Sequence, residues 1–113
     1  MNNLNSIIIE GNLVRDITVE KVSDDFTVGK FTVAVNRLFK KADGTTEEEV
    51  SYFDAECFGR LAERLENELK KGRGVRVVGR LKQKRWKTEE GTQFSKVCIV
   101  AEHVELKPLP PKK

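Results

Sequence analysis

The chain has 113 residues and a mass of 12.9 kDa, enough for one domain and too little for two independent cores. Lysine and arginine number 21 against 18 aspartate and glutamate, so the formal net charge is only +3 although 35% of the chain is charged, and a hydrophobic share of 38% describes a small core under a polar surface rather than a disordered chain. The apolar runs, at residues 7–9 and at 75–78 where Arg76 interrupts, fall far short of the roughly 20 residues of a membrane span, and MNNLNS lacks the features of a secretory leader, so a cytoplasmic location is expected.

Two-residue periodicity dominates, and a single stretch has helical spacing. Residues 6–14 and 18–22 read as strand on either side of a break at Arg15 and Asp16, with Gly11 marking a bulge or bend. In residues 28–35, Phe31, Val33 and Val35 fall on one face and Lys30, Thr32 and Ala34 on the other. Residues 36–49, with a turn cluster from Ala42 to Thr46, are expected to form a long hairpin loop. Residues 50–58 are again extended. Leu61, Leu65 and Leu69 then recur every fourth position, which predicts a short amphipathic helix ending at Lys70 and Lys71 with Gly72 as a left-handed cap. A long strand follows from Val75, a second hairpin turns at Glu89, Glu90, Gly91 and Thr92, and residues 94–106 form the last strand. Residues 107–113, KPLPPKK, are expected to be a short disordered, basic, proline-rich tail to a domain spanning 1–106.

About five strands with one short helix between the third and fourth predict an all-β chain of the OB-fold class, a Greek-key barrel. An SH3-like barrel would lack the helix, and a βαβ fold would need more of them.

The side chains of common catalytic and metal chemistry are sparse. Cys57 and Cys98 form no CxxC pair and read as buried reduced thiols, and His103 is the single histidine. There is no phosphate-binding glycine motif and no clustered carboxylate site of the kind a nuclease uses, so neither an enzyme nor a cofactor or metal is expected.

The weak net charge conceals a strong asymmetry. Residues 70–87 carry nine basic side chains and no acid, leaving 12 basic and 18 acidic residues elsewhere. Alternation along the strand places Arg76, Arg80, Lys82, Lys84 and Trp86 on one side, a ridge of cations ending in the sole tryptophan. Cations neutralise phosphates and an indole stacks on bases, whereas a bare solvated strand face would explain the lysines but not the ring. Tyr52 and Phe58 share the face of their strand with Asp54 and Glu56. Exposed, they would stack bases; a strand covered on both sides is the other reading, and the carboxylates are expected to meet basic residues of a neighbour. At the base of the long hairpin, Arg37, Lys40 and Lys41 surround Phe39 on an arm suited either to folding over a flexible strand or to packing on its own barrel.

The segments NSIIIEGNLVRD (5–16), VAVN (33–36), FGRLAE (58–63) and LKKGRGVRVVGRLKQKRW (69–86) together resemble the bacterial single-stranded DNA-binding protein family, over essentially residues 1–106. The resemblance implies a homotetramer of OB-folds around which single-stranded DNA wraps, with stacking roles for Phe39, Tyr52, Phe58 and Trp86 and a basic groove. Phe39 and Tyr52 stand where well-studied members have tryptophan, which preserves stacking. Those members also carry an acidic tip that recruits replication and repair proteins; KPLPPKK is not such a tip, so recruitment by that route is not expected. A nucleoid-associated, sequence-tolerant binder of single-stranded DNA in replication, recombination and repair is the leading expectation. The alternative is a primosomal accessory module of the same fold that loads a partner enzyme. The apolar segment 4–9 is expected to pair across a subunit boundary.

Overall fold

The computed structural model describes residues 2–109. Among these, six strands and one helix follow in the order β1 (Ile7–Leu13), β2 (Thr18–Ser23), β3 (Phe26–Lys40), β4 (Thr46–Phe58), α1 (Arg60–Leu65), β5 (Gly74–Lys87) and β6 (Gln93–Leu106). The sheet runs β1-β5-β6-β4-β3-β2, and β1 also pairs with β3 through Asn12 with Ala34 and Leu13 with Val33, which closes it. β1 and β2 are two halves of one barrel strand, broken at Arg15 and Asp16 as the sequence predicts. With the halves counted as one, the result is the expected five-stranded OB-fold barrel with α1 between its third and fourth strands.

Glycine makes the closure possible. A Cβ at Gly11 would lie 2.2 Å from the Ala34 carbonyl oxygen, so β1 crosses from β5 to β3 at the one position where the backbones can touch. The interior is filled by alternate residues: Leu13, Phe31, Val33, Ala55, Cys57, Val75, Val77, Ile99, Ala101 and Val104. Ala101 and Val104 both face inward although their spacing breaks strict alternation, because β6 bulges opposite Val78 and Gly79 and leaves Glu102 outside the ladder.

The helix is shorter than its leucine spacing predicts. It ends at Leu65, and Leu69 reaches the core from the following turn. Here the tertiary structure takes the backbone away from the helix: the Leu69 carbonyl accepts the Ile17 N–H at 2.9 Å, the Arg73 carbonyl that of Leu13 at 2.9 Å, and Asp16 Oδ1 that of Lys71 at 2.8 Å. Gly72 is in the left-handed region as expected, yet within this turn rather than as the helix cap. Ala62, Leu65 and Leu69 plug the end of the barrel.

Residues 36–49 are not a loop. β3 and β4 pair without a register shift from Val28 opposite Phe58 to Lys40 opposite Thr46, so the arm is a ladder nearly to its tip. The turn itself is confined to residues 41–45, where Asp43 Oδ1 accepts the Thr45 N–H at 2.9 Å. Lys107, assigned by sequence to the tail, donates its N–H to the Gly74 carbonyl at 2.9 Å. Residues 110–113 of that tail lie outside the described residues.

Candidate nucleic-acid interface

The side chains that point away from the core on β3, β4, β6 and β5 form one continuous outer face. The registers set its rows: Lys30 opposite Glu56, Thr32 opposite Asp54 and Ala34 opposite Tyr52, then Val100 beside Glu56, and Lys82, Lys84 and Trp86 opposite Cys98, Lys96 and Phe94. Three of the four predicted stacking residues lie on this face. Tyr52 is 66% exposed and Trp86 48% exposed, while Phe58 is half-buried.

Two of these rings are held by partners that the sequence did not single out. Trp86 stacks on Phe94 with centroids 5.8 Å apart and planes at 21°, and Phe58 stacks on Phe26 at 5.7 Å and 15°. Each pair fixes the ring plane, at a gain of about 0.5–1.5 kcal/mol beyond burial. The signal for Phe94 was present, since folding the hairpin about Gly91 sets it opposite Trp86. Phe26 could be placed only once the β3–β4 register was known. Beside the Trp86–Phe94 pair lies an open depression of about 640 Å3 lined also by Gln83, Arg85 and Lys87.

The cations are less free than the ridge of nine implied. Arg76 is bonded to Glu10 at 2.6 Å and lies 3.6 Å from Glu105, and Arg80 is bonded to Glu102 at 3.0 Å. Lys84 is paired with Glu56, and Lys96 with Asp54. Asp54 thus meets a basic residue of the neighbouring strand β6, as expected, and Glu56 reaches past β6 to Lys84 on β5. Lys82 is exposed and has no ion-pair partner among the described residues, and the same holds for Arg37 and Lys40.

Glu56 is 6% exposed and also accepts the Cys98 thiol. Burial pushes its carboxyl up, but the Lys84 ammonium outweighs this and leaves it below the usual carboxylate range. Asp54 is held low by Lys96 and by the Thr32 hydroxyl, which donates to it at 2.8 Å. These pairs keep the face charged yet internally neutralised along its middle.

Two groups of predicted residues lie elsewhere. Phe39 and Arg37 fall opposite Glu47 and Glu49 on the other side of the hairpin arm from Tyr52, and Phe39 is half-buried there; Lys40, one position on, returns to the outer side. Arg76 lies at the β1 end of the barrel, roughly 30 Å along β5 from Trp86 at about 3.3 Å per residue. His103 is on the surface, with Nε2 2.9 Å from Glu105, and both cysteines are buried and unpaired.

Comparison with known proteins gives the arrangement its context. The model of the single-strand binding protein family matches residues 4–107. A single-stranded DNA-binding protein of Aquifex aeolicus is 40% identical over 103 residues, covering 91% of this chain and 69% of that protein. One from Wolinella succinogenes is 36% identical over 102 residues, covering 90% of this chain and 63% of its relative. Among solved structures, a Plasmodium falciparum protein in complex with single-stranded DNA superposes with a TM-score of 0.85 at 17% identity, over 96% of this chain and 98% of that one, a likeness of fold.

Proposed function

Because the chain belongs to the single-strand binding protein family, we propose that it binds single-stranded DNA without regard to sequence and without catalysis, covering exposed strands in replication, recombination and repair. The observation that carries this reading is the sharing of one sheet face by Tyr52, Phe58 and Trp86 with Lys82 and Lys84. Every base has a π-face, so rings spaced along a sheet bind a strand of any sequence, and each contributes about 1–3 kcal/mol per base. Backbone phosphates meet Lys82, which no carboxylate holds among the described residues.

The strand runs from Trp86 towards Phe58 and then passes around the arm, where Arg37, Phe39 and Lys40 engage it. Arg76 and Arg80, each paired with a surface carboxylate, extend the basic surface further along β5. Residues 1–106 form the binding domain, working at the nucleoid in the cytoplasm.

The chain acts as a homo-oligomer, a homotetramer in the arrangement favoured here. Leu4 and Ile8 are strongly exposed, and β1 is paired on one side only over most of its length, so its open edge and apolar face suit a second copy. Light scattering at micromolar concentration is expected to give a multiple of 12.9 kDa.

The test of the function is a titration of labelled oligo-dT and of duplex DNA of equal length at two salt concentrations. Single strands are expected to bind more tightly, with an affinity that falls steeply with salt. Equal affinity for both would overturn the proposal.

A further inference from the structure

A cleft of about 310 Å3 opens on the outer face between the β2–β3 edge and the β5–β6 hairpin, and its charged lining is Arg15, Lys30, Asp54, Glu56, Lys84 and Lys96. Four cations thus face two carboxylates. The carboxylates are not shared evenly: Glu56 holds Lys84 and Asp54 holds Lys96, whereas Arg15 and Lys30 are exposed and make no ion pair among the described residues. Neither Arg15 nor Lys30 belongs to the ridge read from residues 70–87. They come from the break between β1 and β2 and from β3, and only closure of the barrel brings them beside β5 and β6.

Resting on the reading that the chain binds single-stranded DNA, we propose that this cleft is a subsite for an internucleotide phosphate, held by Arg15 and Lys30, while Asp54 and Glu56 act as built-in competitors that withhold Lys96 and Lys84 from the strand. An anion entering the cleft finds a net surplus of positive charge and two unengaged donors, and it has no need to break a half-buried pair. The two carboxylates occupy the position a second phosphate would take. They moderate affinity and set how many counterions binding releases, which a strand that must later be handed on requires.

The number of cations engaged is read from the salt dependence of binding, with about 0.7 in the slope of log K against log salt for each phosphate neutralised on a single strand. Oligo-dT is titrated across a salt series with the full chain, with Arg15→Ala, Lys30→Ala and Asp54→Asn, and with Lys21→Ala, an exposed lysine on the opposite face of β2, as reference. Arg15→Ala and Lys30→Ala, which share one phosphate, are each expected to lose a part of that value of about 0.7 from the slope and to bind several-fold more weakly at low salt. Asp54→Asn, which frees Lys96, is expected to gain a similar amount and to bind more tightly, an outcome that misfolding does not imitate. An unchanged slope in Arg15→Ala and Lys30→Ala, a loss as large in Lys21→Ala, or weaker binding by Asp54→Asn overturns the subsite while leaving the function standing. Absence of oligo-dT binding by the unaltered chain overturns both.

Discussion

Trp86 and Phe94 face each other across the β5–β6 hairpin, with ring centroids 5.8 Å apart and planes 21° from parallel. The relationship gives the sole tryptophan a fixed orientation on a hairpin that projects from the barrel. Replacing Phe94 by Leu keeps an apolar side chain but removes the stacking partner. It is expected to cost about 0.5–1.5 kcal/mol of binding, or roughly two- to tenfold in affinity for oligo-dT. The steady-state anisotropy of Trp86 emission in the free protein is expected to fall, which reads the loss of orientation directly. Unaltered anisotropy and affinity would show that Phe94 does not hold the indole.

Gly11→Ala tests the barrel seam. A methyl there meets the Ala34 carbonyl oxygen at 2.2 Å and Val33 Cγ1 at 2.8 Å, and backbone cannot yield as a flexible side chain does. A loss of about 1–3 kcal/mol is expected, seen as a drop of several degrees in the thermal midpoint for each kcal/mol. A melt equal to that of the unaltered protein would mean that β1 does not close on β3 in this way.

The barrel and the outer face were legible in the sequence for different reasons. Alternation at Phe31, Val33, Ala55, Cys57, Val75 and Val77 is a local property of the chain, and all six are core residues. The same local rule placed Tyr52, Lys84 and Trp86 on outward positions. The helix end is not legible because Leu69 keeps helical spacing while its carbonyl is claimed by Ile17, a partner far away in the chain. The arm at residues 36–49 looks like a loop in the sequence because its charged and turn-forming composition hides a ladder that cross-strand pairing, not hydrophobicity, defines. Arg15, Lys30, Phe26 and the ion pairs of Lys84 and Lys96 depend on registers between distant strands, which no periodicity within one segment reveals.

Acid should weaken the outer face. Asp54 and Glu56 are both held below their ordinary values in the folded protein. Lowered folded-state values mean that their pairs stabilise the fold at neutral pH and that this contribution is lost as pH falls below the ordinary carboxylate range and through the folded values. Glu56→Gln is expected to lower stability at pH 7 and to flatten the acid limb of a denaturant midpoint against pH. An acid limb as steep as that of the unaltered chain would assign the acid sensitivity to other carboxylates.

Both thiols should be inert. Cys57 is fully buried, and burial pushes its thiol up to about 11; burial, and then the charge of Glu56, raise Cys98 as well. A disulfide-exchange reagent at pH 8 is expected to leave the native protein unlabelled for hours and to label two thiols in guanidinium chloride. Rapid labelling of the native chain would contradict the burial of both side chains.

The account rests most heavily on Trp86 as a stacking platform on a basic sheet face, and Trp86→Ala reports on it without ambiguity about phosphate contacts. Fluorescence anisotropy of labelled oligo-dT at fixed salt is predicted to show a loss of about 1–3 kcal/mol, roughly five- to 150-fold in affinity, with the slope against salt unchanged. Affinity equal to that of the unaltered protein would contradict the assignment of this face to single-stranded DNA.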